Sequence, residues 1–334
     1  MLNLNFNSNG STPKYRQIID AVQQLIKDGA LQKGDKLPSC NELRKQYGLS
    51  QDTVYLAYSE LKSLGLISSQ VGIGYFVQNI DFNNKHKVFV LFDNLSAYKE
   101  DLYDAFKLTM KGNGSEQIFF HHNNSSVFES LIKNAIGEFT DFIIMPTEDK
   151  SAEDVLALLP ENKVYLLDKA SPVLKKLYAY VCQNFERDIY TVFEQNNDLI
   201  NKYTRIILSI PNNKGHFNEI IKGFRAICKK YSKPCDLVFQ MSDFEIQKGD
   251  AFIVVSDKDL VKIVTKSQTL NLELGSDIGI ISYNETALKQ IAAGGITTIS
   301  TDFRAMGRSM AEMIVDGKKD KIHNPFGINK RKSI

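Results

Sequence analysis

The chain has 334 residues, 43% hydrophobic and 24% charged, with a formal net charge of +2. That length corresponds to about two domains at roughly 150 residues each, and the composition is that of a globular protein, which excludes wholesale disorder. Near-neutral charge points to no partner by itself. The four cysteines (Cys40, Cys182, Cys228 and Cys235) lack the CxxC pairs or close histidines that would indicate a disulfide scaffold or a zinc site.

The opening MLNLNFNSNG has neither a basic n-region nor an apolar h-region, so it does not read as a signal peptide. The longest apolar runs, such as Val88–Phe92, are strand-length and far short of the roughly 20 residues that a membrane span needs. The expectation is a cytoplasmic protein with no membrane partner.

The first predicted helix starts at Ser11-Thr12-Pro13, with a hydroxyl cap and proline in the first turn. Ile18, Val22, Leu25 and Ile26 follow at helical spacing, and Gly29 ends it. A second helix opens on Ser39-Cys40-Asn41-Glu42, a capping-box pattern, and stops at Gly48. A third begins at Ser50 and buries Val54, Ala57, Leu61 and Leu64. Two short helices joined only by Gly48-Leu49-Ser50 are a helix-turn-helix pattern. Residues 66–77 then read as strand, glycine turn and strand, the outline of a wing. A small structural module that binds nothing has the same pattern.

Residues 14–77 resemble the winged-helix domain of the GntR family, through GDKLPSCNELRKQYGLSQDTVYLAYSELKSLGLISSQVGIGYFV. The LPS before the second helix, the GLS turn, the TVY–AY–EL spacing and the G-x-G-aromatic-F-V hairpin fall in order. The resemblance implies operator DNA as partner, with the start of the third helix in the major groove. Gln51, Asp52, Thr53 and Tyr55 stand there, and Gln suits adenine, Asp the cytosine amino group and Thr the thymine methyl. Ser39 and Asn41 at the second helix's start suit a phosphate. Arg44 and Lys62 supply phosphate charge, and Gln70 and Gly72 are the wing contacts. Where relatives commonly carry Arg, this chain has Gln51 and Tyr55. Residues 1–80 hold eight basic and six acidic side chains. One head should therefore bind weakly, and two on a palindrome would gain by avidity.

Residues 79–86 read as a polar linker. From residue 87 onward, strand-like runs at 87–93, 117–121, 141–145, 163–168, 178–184, 205–210, 236–240, 251–256 and 277–283 alternate with amphipathic helices, the pattern of a parallel sheet. Several runs end in polar residues, which in open α/β sheets point into one cleft. No GxSxG elbow, GxxxxGK[ST] loop or strand-GxGxxG is present, so no catalytic residue, metal or cofactor is expected.

Residues 87–334 resemble the sugar-sensing domain of LacI/GalR regulators, itself similar to periplasmic sugar-binding proteins. The segments that carry this are KVFVLFDNLS, DFIIMPTED, KVYLLDKAS, YVCQNFERDIYTV, KGFRAI and the closing run DAFIVVSDKDLVKIV to ITTISTDFRAMGRSMAEMIV, with Arg331-Lys332-Ser333 suiting the last strand. The resemblance implies two Rossmann-like lobes, 87–184 with 302–317 and 185–299 with 323–334. By the same resemblance the effector contacts are Asn94, Tyr98, Asp168, Lys169, Asn184, Asp257 and Asn284, with Tyr98, Phe185 and Tyr283 as aromatic walls; the arginine of many relatives corresponds here to Ile220, with His216 or Asn218 as its substitute.

The expected architecture is an α+β winged helix (1–78), a linker (79–86) and an α/β two-lobed periplasmic-binding-protein-like body (87–334), working as a homodimer. The expected function is a repressor released by a monosaccharide, an L-arabinose- or L-fucose-like sugar by analogy. A regulator sensing a non-sugar metabolite and a DNA-tethered enzyme are the alternatives.

Overall fold

The computed structural model describes residues 12–78, 86–211, 215–241 and 244–334. Residues 79–85, most of the expected linker, and Ser11, part of the expected first cap, lie outside them. Among the described residues no helix is long and apolar enough to cross a membrane.

Helix α1 (Lys14–Lys27) buries Ile18, Ile19, Val22 and Ile26 on one face. Its N-cap is Pro13 and carries no side-chain hydrogen bond, so the expected hydroxyl cap is not what starts this helix. Instead the Pro13 carbonyl receives the Arg16 and Gln17 amides. Strand β1 (Lys36–Leu37) leads into α2 (Cys40–Tyr47), whose capping box is reciprocal: the Ser39 hydroxyl accepts from the Glu42 amide and the Glu42 carboxylate accepts from the Ser39 amide. The helix closes on Gly48 in a left-handed conformation, φ 63°, which suits glycine. Helix α3 (Gln51–Ser63) follows at once, capped by Ser50. Strands β2 (Ile67–Gln70) and β3 (Gly74–Val77) form the wing, and the small antiparallel sheet runs β1-β3-β2. Apolar faces of all three helices meet around Leu37, Leu43, Val54 and Leu61, a continuous core for residues 12–78.

The body has two lobes. The first contains β4 (His86–Phe92), α4 (Ala97–Met110), β5 (Gly114–Phe120), α5 (Ser125–Ala135), β6 (Asp141–Ile144), α6 (Ser151–Leu156), β7 (Val164–Asp168), α7 (Pro172–Leu177) and β8 (Ala179–Cys182). The chain then crosses into α8 (Phe185–Gln195), α9 (Asp198–Asn201), β9 (Arg205–Ser209), α10 (His216–Tyr231), β10 (Cys235–Val238), β11 (Asp250–Val254), α11 (Asp257–Thr269), β12 (Gly279–Tyr283), α12 (Ala287–Ile291) and β13 (Thr297–Thr301). It returns for α13 (Phe303–Val315) and β14 (Lys321–His323), and ends on β15 (Phe326–Asn329). The sheets run β14-β8-β7-β6-β4-β5 and β10-β9-β11-β12-β13-β15, parallel throughout except that β15 is antiparallel to β13.

Strands such as DFII and DAFIV are covered on both faces, which is why they are apolar throughout rather than alternating. Helix α13 lies against α4 at Gly307, where any Cβ would stand 2.1 Å from the Leu102 carbonyl oxygen; only glycine permits that approach. The crossovers at 302 and 324–325 are tied by Asn324, whose amide donates to Thr301 Oγ1 at 2.7 Å and to the Asp302 carbonyl at 2.8 Å.

Three details differ from the sequence reading. Residues 321–323 pair with β8 in the first sheet, so the last crossover falls after His323. Arg331–Ser333 lie beyond the last strand; Ser333 instead bridges β12 and β13, accepting from the Thr297 amide and donating to the Ile280 carbonyl. Cys228 and Cys235 form a disulfide with their Cα atoms 6.1 Å apart, because the turn from α10 into β10 brings together residues whose spacing matches no cysteine motif.

Candidate effector cleft and nucleic-acid interface

On the head, Asn41, Gln51, Asp52 and Tyr55 are exposed on α2 and α3, and Gln70 and Gly72 are exposed at the wing. Thr53 is half-buried, its hydroxyl hydrogen-bonded to that of Ser50 at 2.7 Å. Arg44 is half-buried on α2. Two expectations change. The Ser39 amide is taken by the Glu42 carboxylate, whose pKa is lowered by that hydrogen bond, so the start of α2 already faces an anion. Lys62 is ion-paired with Glu138 of the first lobe rather than standing free for a phosphate. Gln51 is exposed at the start of α3, the position that the winged-helix resemblance puts against a base. Gln51→Ala should weaken the preference at one base pair by about 1 kcal/mol, read by selecting sites from a random duplex pool with both proteins. Identical selected consensus sequences would exclude Gln51 from base reading.

The strand ends of both lobes face one cavity of about 430 Å³. Of the eight expected effector contacts, Asn94, Tyr98, Asp168, Lys169, His216, Asp257 and Asn284 line it. Asn184 does not: its side chain caps α8 by accepting from the Arg187 amide, and Gln183 lines the cavity in its place. Asp93, one of the polar strand ends expected to point into the cleft, lines it too, as do Lys99, Lys289 and Phe303, on which the sequence reading placed no role. The expected aromatic residues Tyr98, Phe185 and Tyr283 all line the cavity, and Phe303, from the neighbouring α13, stacks on Tyr98 with ring centroids 4.6 Å apart.

The cleft is built from charges that neutralise one another. Asp93, 5% exposed, takes Lys99 on one oxygen and Lys169 on the other at 3.1 Å. Burial alone would raise its carboxyl, but the two ammonium groups outweigh burial and hold it at about 2. Lys99, 2% exposed, is completed by the Asn94 carbonyl and side-chain oxygen. Lys289 donates to the Tyr283 and Asn284 carbonyls and pairs with Asp257, each at 2.9 Å. Asp168 makes no ion pair among the described residues; the Gln183 amide donates to one of its oxygens at 2.6 Å.

Asp168 and Asn284 hold left-handed backbone conformations, φ 67° and 63°, at the ends of β7 and β12. Non-glycine residues in that region are strained and collect at functional sites. The Asn284 side-chain oxygen and the Ser282 hydroxyl are buried without a hydrogen-bond partner among the described residues. Unpaired buried polar atoms are costly; of these two residues only Asn284 lines the cavity, which leaves its side chain available there to a ligand or water.

The lobes also touch across the mouth of the cleft. Glu148, after β6, accepts from the His216 ring at 2.7 Å and from its amide at 3.2 Å, at the start of α10. The His216 hydrogen bond lowers the Glu148 carboxyl to about 2. Among the described residues no group of three His, Cys, Asp or Glu side chains could hold a metal ion.

Comparison with known proteins places both parts. Residues 14–77 match the family of bacterial regulatory proteins of the gntR type, and residues 200–329 match the periplasmic binding protein-like domain. The HTH-type transcriptional repressor NagR of Bacillus subtilis is 34% identical over 99 residues, 30% of this chain and 38% of NagR. The mannosyl-D-glycerate transport/metabolism system repressor MngR of Escherichia coli is 33% identical over 95 residues, 28% of this chain and 37% of MngR. The matched segments thus span well under half of these relatives.

Among solved structures, the dimeric Lac repressor with an 11-residue C-terminal deletion aligns over 74% of this chain and 98% of its own, with TM-score 0.62 and 17% identity. A LacI family transcriptional regulator from Lactobacillus casei with bound glucose aligns over 74% of this chain and 99% of its own, with TM-score 0.61 and 12% identity. At such identity the likeness is one of fold.

Proposed function

We propose that this chain, a gntR-type winged helix joined to a LacI-like, periplasmic-binding-protein-like body, is a homodimeric transcription repressor released from operator DNA by a neutral monosaccharide. We assign operator reading to residues 1–78, the connection to 79–85, since His86, expected in the linker, already opens β4, and ligand sensing and dimerisation to 86–334, acting in the cytoplasm. The relatives named above are regulators rather than enzymes, and the L. casei fold neighbour holds glucose.

The observation that carries the ligand class is the internal charge balance of the cleft. Three carboxylates, Asp93, Asp168 and Asp257, face three lysines, Lys99, Lys169 and Lys289, and each lysine is already engaged by a carboxylate. A phosphorylated or carboxylated sugar would have to compete with one of these carboxylates for its lysine, and the Asp93 pairs with Lys99 and Lys169 are almost wholly buried, which makes that costly. A neutral sugar needs only what is left over: the second Asp168 oxygen, the Asn284 amide and the Asn94 amide for hydroxyls, and the Tyr98–Phe303 pair for an apolar ring face.

Thermal melting with L-arabinose, L-fucose, D-xylose and D-glucose, beside glucose 6-phosphate and galacturonate, tests this. A ligand at one hundred times its Kd should stabilise the native state by about 2.7 kcal/mol. The expected result is a shift with at least one neutral sugar that Asp168→Ala and Asn284→Ala both lose. If only the anionic sugars shift the protein, the neutral class is wrong. If no sugar does, the monosaccharide reading itself fails.

A further inference from the structure

The reading helix sits on the body. Asp52, Tyr55, Ser59 and Ser63 recur at helical spacing along one face of α3, and that face lines a cavity of about 790 Å³ shared with the first lobe. Phe139, Leu159, Lys163 and Lys321 stand opposite. Two ion pairs close the contact: Lys62 with Glu138, and Glu60 with Lys163 at 3.7 Å. Between them Ser59 packs on Gly137, where an added Cβ would lie 3.3 Å from the serine Cβ. Gly137 also holds φ +77°, so the position suits glycine both by conformation and by proximity to the head.

This contact occupies the surface that DNA needs. Entering a major groove about 12 Å wide requires the first turns of the helix to project clear of other protein. Here Asp52 and Tyr55 face the lobe across a gap far too small for a duplex. Lys62 reaches a phosphate only by leaving Glu138.

The place of docking is equally specific. Glu138, Lys163 and Lys321 lie at the starts of β6, β7 and β14, whereas Glu148 and Asp168-Lys169 lie at the cleft ends of β6 and β7. Head and effector therefore occupy opposite ends of one parallel sheet.

We infer that the strand-start end of the first lobe is a docking surface for the chain's own reading head, holding α3 in a parked form that competes with DNA. The inference rests on residues 14–77 being a DNA-reading head. The Lys62–Glu138 pair is partly exposed and screened by salt, and the Glu60–Lys163 pair, though mostly buried, is long because Arg16 holds the other Glu60 oxygen, so the contact is modest and reversible. A protein divided between parked and free heads binds DNA with an affinity reduced by the free fraction.

The test is the full-length double variant Glu138→Lys, Lys163→Glu, which sets like charges against Lys62 and Glu60 and leaves the net charge unchanged. Neither residue belongs to the head or the cleft. Binding of a fluorescent random-sequence duplex should tighten about threefold to tenfold. Amide hydrogen exchange in residues 136–140 and 158–163 should rise as the surface is uncovered. Unchanged duplex affinity overturns the inference, whatever exchange does. Tighter binding with unaltered exchange also overturns it, because the gain would then come from charge placement rather than undocking. A wild-type chain and variant that both ignore the duplex would instead refute the DNA-reading assignment.

Discussion

Asp93→Ala is expected to destabilise the body by about 3–5 kcal/mol, the range for removing one member of a buried, hydrogen-bonded charge cluster. The loss exceeds that of a surface pair because Asp93 is the carboxylate partner of Lys99 and a partner of Lys169 as well. Without it, Lys99 keeps only the Asn94 oxygens, and a cation in that position has almost no access to water. The chain contains no tryptophan, so unfolding is best followed by circular dichroism in guanidinium.

Acid should act on the same group. The Asp93 carboxyl lies at about 2 when folded and near 3.9 when unfolded. Its contribution is therefore complete above about pH 5 and is lost as pH falls through about 2, in total about 2.5 kcal/mol. That is less than the substitution costs, because a protonated carboxyl still accepts through its carbonyl oxygen and still fills the site. A loss under about 1 kcal/mol on substitution would show that the lysines find other partners.

The second large effect is the coupling between effector and DNA. The cleft draws on both lobes, with Asp93, Asp168 and Tyr98 from one and His216, Asp257 and Asn284 from the other, and Glu148 already spans the gap to His216. A ligand contacting both sets favours the closed arrangement. It can shift DNA binding only by its difference in affinity between the DNA-competent and released forms, typically 1–3 kcal/mol or about 5–150-fold. Reciprocity requires DNA to weaken sugar binding by the same factor if the sugar is an inducer. Titrating the sugar identified by melting into the protein, alone and saturated with a selected duplex, measures both sides. Equal sugar affinity in the two titrations would sink the coupling, and tighter sugar binding on DNA would make the sugar a co-effector.

The local punctuation of this fold was legible in the residues alone. Ser39-x-x-Glu42 is a reciprocal capping box, Gly48 ends α2 in a left-handed turn, and Ser50 starts α3, as their chemistry requires. Each of the nine strand runs read from the sequence overlaps a strand. Seven of the eight expected effector contacts meet in one cavity, since parallel sheets gather their strand ends on one side. These features depend on neighbours a few residues away, which sequence spacing specifies directly.

Partners far apart in the chain were decided only by the tertiary structure. Whether Gln183 or Asn184 faces the cleft depends on where β8 ends and α8 begins. Phe303 becomes a cleft residue because α13 returns beside α4, and Lys62 meets Glu138 because the head rests on the first lobe. The same holds for charge: nothing in the sequence pairs Asp93 with Lys99 and Lys169, and only the packing of α4 against the end of β7 makes them one buried cluster of opposite charges. A capping motif carries its partner within the motif; a buried ion pair does not, since either member is compatible with many partners until folding removes the water.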